Sequence, residues 1–277
     1  MTRSFVCRSF VASLGLMLVF QYSHAQFGGI LKKAQDKLEQ KANDAIDKTV
    51  SGKDKNVTTT ADAGAGANTG KKRISMGAGF DFKAGDSVMY ASNFEKFSTG
   101  AMPNTWKTNG SGQLVKSGEV AGTWLELQPS ATYKLAQNYK LPQNFTVEFD
   151  LLTSCEKITD ISPVRFGFAE TNSVGNFNDG DIAHTELEFY NANKITSFAG
   201  PADKYISTEY DLTRYANDKL HVSIAVNGDQ MKVYLDKTKV LDTKMFKQDV
   251  RKYFFISAPI DTKNDAKVYV TNVVIAK

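Results

Sequence analysis

Three residues with chemistry to offer fall at every second position of one short stretch, His184, Glu186 and Glu188 in His-Thr-Glu-Leu-Glu-Phe-Tyr. In a strand this spacing turns all three side chains to one face. Two carboxyl groups on one face are the raw material of glycoside hydrolysis, one as nucleophile and the other as acid. The same spacing also makes a polar strand face that contacts a ligand or simply meets solvent. A second candidate is Asn-Phe-Asn-Asp-Gly-Asp at 176–181. Asn178, Asp179 and Asp181 are hard oxygen ligands of the kind calcium takes, and Gly180 allows the turn. Asn-Asp-Gly is ordinary turn chemistry as well.

Aromatic side chains are a third resource, because the apolar faces of sugars stack on flat rings. Trp106, Trp124, Tyr190 and Tyr205 qualify by type. Trp124 lies in a run with strand character and is expected in the core, which leaves Trp106, in the loop 104–110, as the candidate exposed ring, unless it is buried to close the core, as a Trp in an early jelly-roll loop often is. Several chemistries are excluded. His24, His184 and His221 are too scattered for a zinc site. There is no Gly-x-Ser-x-Gly elbow for a serine nucleophile and no phosphate-cradling glycine loop.

The elements that must position these residues read as strands. The stretch 219–241 alternates Leu220, Val222, Ile224 and Val226 with polar or small residues, then Met231, Val233 and Leu235 with Lys232 and Tyr234. Asn227-Gly228 between the two halves tolerates positive φ and signals a hairpin. Phe145, Val147, Phe149 and Leu151 alternate in the same way with Thr146, Glu148 and Asp150. The expected strands are 88–94, 113–116, 123–127, 132–136, 145–152, 164–170, 184–190, 194–198, 219–226, 231–236, 253–257 and 267–276. Many short strands without a helical run between them predict an all-β, antiparallel two-sheet sandwich over 79–277. Its length suits a jelly roll better than a small immunoglobulin-type domain.

Ahead of the sandwich the composition differs. Residues 1–25 carry Arg3 and Arg8, an apolar run at 10–20 and Ser23-His24-Ala25, the three parts of a secretory leader cleaved after Ala25. Cys7 precedes the apolar run, which is the wrong side for a lipoprotein cysteine. No later stretch is apolar enough for a membrane-spanning helix. Residues 26–50 are expected to form an amphipathic helix, with Ile30, Leu31, Ala34, Leu38, Ala42, Ala45 and Ile46 at helical spacing. It is either a docking element, on an envelope protein, a membrane face or a second copy, or a solvated spacer. Residues 51–78 are small, polar and Gly-rich, a flexible linker. The expected product is an exported protein, periplasmic, associated with the outer envelope or secreted.

The formal charge is +4 and falls by two when Arg3 and Arg8 leave with the leader. So balanced a chain offers no electrostatic case for nucleic acid. Cys7 leaves too, and Cys155 then has no partner for an internal disulfide; a buried, inert thiol is expected.

The hairpin residues Leu220-His221-Val222 and Val233-Tyr234-Leu235-Asp236, and the last strand at 268–275, resemble those of laminin-G or concanavalin-type jelly rolls. The wider chain is similar to the N-terminal part of OmpA-associated envelope proteins of Gram-negative bacteria, through 27–33, Gly-Asp-Ser-Val-Met-Tyr-Ala-Ser-Asn-Phe at 85–94, and 145–152. The OmpA-type peptidoglycan-binding domain that often follows is absent from this sequence, so cell-wall anchoring is not implied. The resemblance implies a non-catalytic, glycan-binding module with Trp106, His184, Glu186 and Glu188 at the ligand, polysaccharide as partner and calcium as a possible ion. Glycosidases of this shape place their carboxyls as Glu-x-Asp-x-x-Glu. Here the last position is Asn191, which removes the proton donor from the enzyme reading.

Overall fold

The computed structural model describes residues 80–277. The leader, the amphipathic helix and the linker expected at 1–78 lie outside the described residues.

The described chain is built from fifteen strands: β1 (Val88–Ser92), β2 (Trp106–Thr108), β3 (Gly112–Val115), β4 (Trp124–Leu127), β5 (Thr132–Leu135), β6 (Asn144–Ser154), β7 (Val164–Ala169), β8 (Asp181–Glu188), β9 (Lys194–Ala199), β10 (Lys204–Glu209), β11 (Lys219–Asn227), β12 (Gln230–Leu235), β13 (Thr238–Lys244), β14 (Tyr253–Ser257) and β15 (Lys267–Ala276). They form an all-β, antiparallel two-sheet sandwich. One sheet runs β13-β12-β11-β6-β15-β4-β3, with β1 added on the second half of β15, and the other runs β10-β9-β8-β7-β14-β5-β2.

The alternation that builds the first sheet reads directly onto its layers. Phe145, Val147, Phe149 and Leu151 of β6 and Leu220, Val222, Ile224 and Val226 of β11 all enter the core. They meet Phe166, Phe168 and Phe254 from the second sheet, with Phe149 against Phe166 and Phe145 against Phe168 at ring-centroid distances of 5.3 Å. Buried aromatic side chains are large contributors to such a core, about 3–5 kcal/mol each when truncated to alanine. The thiol of Cys155 is buried and burial pushes its pKa up, while its N–H donates to Asn217 Oδ1 at 2.9 Å.

The hairpin between β11 and β12 sits one residue later than its sequence suggests. Asn227 pairs with Gln230, so the loop is Gly228-Asp229. Gly228 carries φ +60°, the first central position of a type II′ turn, which only glycine fills without strain.

On the outward face of the eight-stranded sheet, the other parity of β6 and β11 makes a polar cluster. His221 Nδ1 lies 2.7 Å from Asp150 Oδ1 and its Nε2 lies 3.3 Å from Glu148 Oε2. Asn272 donates to Asp150 Oδ2 at 2.8 Å. The segment 80–85 lies across the same face. Phe80 and Phe82 pack edge-on against Tyr234 at 5.5 and 5.6 Å, and Asp81 accepts from Tyr234 and pairs with Lys232 and Lys239. The Gly85 N–H donates to Thr146 Oγ1 at 3.0 Å, and β1 then begins beside the chain's last residues.

Candidate functional site

The outward face of the seven-stranded sheet is organised by cross-strand register. Gly167 of β7, His184 of β8, Phe198 of β9 and Tyr205 of β10 stand in one row. Arg165, Glu186, Thr196 and Ser207 form the next row, and Glu188 faces Lys194 beyond it. A Cβ on Gly167 would lie 2.6 Å from His184 Cα, so the bare glycine lets β7 and β8 come together beneath the imidazole.

His184, Glu186 and Glu188 therefore share a face, each held by neighbours. His184 is only 7% exposed and its ring lies 5.7 Å from that of Phe198. Its Nδ1 is 2.6 Å from Asp181 Oδ2, but too oblique for a hydrogen bond, and Asp181 Oδ1 is buried with no partner among the described residues. Glu186 accepts from Arg165 Nε. Glu188 accepts from Thr196 Oγ1, from the Tyr190 hydroxyl at 3.1 Å and from Asn191 Nδ2 at 3.5 Å. Burial first, and the nearby Glu188 carboxylate second, raise the Tyr190 phenol above its ordinary pKa. Neither carboxylate is free to swing onto a glycosidic oxygen.

The exposed rings on this side are Tyr190, at 54%, and Phe198, at 43%, with half-buried Tyr205 directly opposite Phe198. Trp106 is not among them, which corrects the expectation from sequence. The supposed loop contains β2, whose pairing with β5 turns the indole inward. Trp106 is 3% exposed, donates to the Tyr90 hydroxyl at 2.7 Å and packs against Phe94. Trp124 is buried as well, yet outside the core cluster; its Nε1 donates to Ala121 O at 3.2 Å. Phe198 and Arg165 went unnoticed in the sequence. The available signal was parity: Lys194 and Thr196 point outward, so the next outward position is Phe198, an apolar ring on a polar face.

The loop 170–181 follows β7, and several of its candidate ligand oxygens already have protein partners. Asn178 Oδ1 accepts from Ser257 Oγ, while the Asn178 N–H donates to Thr132 Oγ1 at 2.8 Å. Asp179 Oδ2 accepts from Ser173 Oγ and from the Gly175 N–H, and Asp181 turns to His184. The three expected calcium ligands thus diverge, and among the described residues no three Asp, Glu, His or Cys side chains converge on a metal position. An ammonium serves the loop instead. Lys134 is fully buried, and its Nζ donates to Asp179 O at 2.6 Å and Thr171 O at 2.9 Å. Burial brings its pKa down from 10.5 to about 8 against the opposing pull of Asp179.

No protein-family model matches the chain, and no curated protein matches it. Solved structures of similar shape include the VIP36 exoplasmic/lumenal domain in its Ca2+-bound form, with TM-score 0.49 and 10% identity over 67% of this chain and 88% of that one. Arcelin-5 from Phaseolus vulgaris, a lectin-like defense protein, gives TM-score 0.47 and 13% identity over 67% and 96%. The carbohydrate-binding module CBM66 from Bacillus subtilis gives 0.44 and 16% over 65% and 99%.

Proposed function

We propose that the outward face of β7–β10 is a non-catalytic glycan-binding surface. The observation that carries this reading is the set of three accessible rings, Tyr190, Phe198 and Tyr205, beside the Arg165–Glu186 pair on a rigid sheet. Flat rings offer apolar area to the C–H faces of a sugar at small entropic cost, and fixed carboxylates and a guanidinium accept from and donate to its hydroxyls. Glu186 and Glu188 act here as hydrogen-bond acceptors rather than as nucleophile and acid, since each is committed to neighbouring donors. The secretory leader, with its charged start, apolar run and small residues before the cleavage point, supports delivery to the cell envelope or beyond.

The test is a glycan array on the full chain, followed by titration of any hit with Phe198→Ala and Tyr205→Ala. Each variant should weaken binding at least about tenfold, ~1.4 kcal/mol. Unchanged affinity in both, or an array with no saturable hit, would sink the reading. Chelator should leave the affinity as it is with calcium, because Lys134 already holds the Thr171 and Asp179 carbonyls and the Asn178 and Asp179 side chains have protein partners. Loss of binding in chelator would restore Asp179 and Asp181 as ligands.

A further inference from the structure

A second groove, of about 900 Å³, lies at the end of the sandwich where β5 leads to β6, β11 turns into β12 and β13 leads to β14. Its charged lining is four cations, Lys140, Lys244, Arg251 and Lys252, against two carboxylates, Asp229 and Asp249. Asp229 is taken by Lys244 at 3.0 Å, and Asp249 accepts from Gln143 Nε2 at 3.4 Å. Among the described residues, Lys140, Arg251 and Lys252 have no carboxylate within ion-pair distance.

Lys252 is the unusual member. It is only 8% exposed, yet its ammonium has one long hydrogen bond, to Val250 O at 3.4 Å. The cation otherwise rests on the Phe246 ring, 4.7 Å from its centroid. An ammonium carries three N–H donors, and a buried cation that leaves donors unspent is costly. Burial accordingly moves the Lys252 pKa below the ordinary lysine value, with Asp249 and Asp229 only partly opposing it. The molecule keeps a poorly satisfied cation at the wall of a groove where the remaining charge is also positive, and half-buried Tyr139 and Tyr253 line the same groove.

We infer that this groove binds an oxyanion, the carboxylate, sulfate or phosphate group of a ligand, with Lys252 and Arg251 as its donors. The site is distinct from the ring-bearing face and does not depend on the reading given to that face. An oxyanion accepts several hydrogen bonds at once and supplies the counter-charge that the protein does not.

Inorganic sulfate is the first probe, with the full chain, against chloride at matched ionic strength. Amine acylation followed by peptide mass spectrometry reads the reactivity of Lys252. Sulfate should slow labelling of Lys252 at least threefold and leave the exposed Lys237, on the turn at the opposite end of β12, unchanged. Calorimetric binding should vanish in Lys252→Met and weaken at least threefold in Arg251→Gln, whose exposed side chain is dispensable for folding. Dextran sulfate beside neutral dextran separates sources. Binding of the sulfated polymer alone, lost in Lys252→Met, would identify a polyanionic saccharide, whereas binding of inorganic sulfate would show that a single anion suffices. Equal labelling of Lys252 in chloride, sulfate and dextran sulfate alike, or anion binding that both variants leave intact, would overturn the inference.

Discussion

His221 donates to Asp150 and faces Glu148, and the imidazole and the Asp150 carboxyl shift each other's response to pH. The Asp150 hydrogen bond raises the imidazole above its ordinary 6.5, against the opposing effect of burial. For Asp150, burial alone would raise the carboxyl, but the hydrogen bonds from His221 and Asn272 and the charge of Lys219 together hold it below 3.8. A raised histidine stabilises the fold fully below 6.5 and loses that contribution as pH climbs through its folded value. A lowered aspartate stabilises above 3.8 and loses that contribution as pH falls through its own. The stability gap between the protein and His221→Gln should therefore be widest between about pH 4 and 6.5 and shrink on the alkaline side, read by denaturant midpoints across the range. A gap that grows above neutrality would contradict the assignment. The two ring positions separate as cleanly. Trp106→Ala should cost about 3–5 kcal/mol of stability through the cavity it leaves, whereas Phe198→Ala, on an exposed ring, should leave Tm nearly unchanged while weakening ligand. By type and loop position the tryptophan reads as a candidate stacking ring. Only the pairing of β2 with β5, three residues long, decides that it points inward.

At the scale of elements, the loop 170–181 is fastened by Lys134 and by Asn178. Lys134→Met should free the loop, seen as faster limited proteolysis between residues 171 and 180 with the rest of the sandwich resistant. Undiminished protection would show that the ammonium is not the fastening. The pH effect has a definite sign. Between the folded value of about 8 and the ordinary 10.5 the unfolded chain binds more protons at Lys134, so stability rises with pH there, relative to the methionine variant. Most strands were legible from alternation, and the three that were not share a cause. β2, β10 and β13 each lie at a sheet edge. Edge strands carry charged and polar side chains that keep the open backbone from pairing with another chain, so Lys-Tyr-Ile-Ser-Thr-Glu of β10 shows little of the period-two contrast that exposed β6 and β11. The one-residue displacement of the β11–β12 turn has a similar origin, since Asn227 and Gly228 both tolerate a turn and only the cross-strand register chooses between them.

For the whole molecule, the sandwich was readable because both faces of β6 and β11 are spelled out in their alternation, while the proposed binding face was not. Its strand members come from four strands that register alone brings into line, Arg165, Glu186, His184, Phe198 and Tyr205. The segment 80–85 is a further whole-molecule feature, binding the start of the described chain to the eight-stranded sheet. Phe80→Ala with Phe82→Ala should remove two edge-to-face contacts with Tyr234, worth about 0.5–1.5 kcal/mol each, and lower Tm by several degrees; an unchanged Tm would show the segment to be decorative. That fastening also sets a direction. The described chain begins on the outside of the eight-stranded sheet, while Phe198 and Tyr205 stand on the outside of the other. One sheet thus wears a segment of its own chain as a cover, a second skin laid over Tyr234.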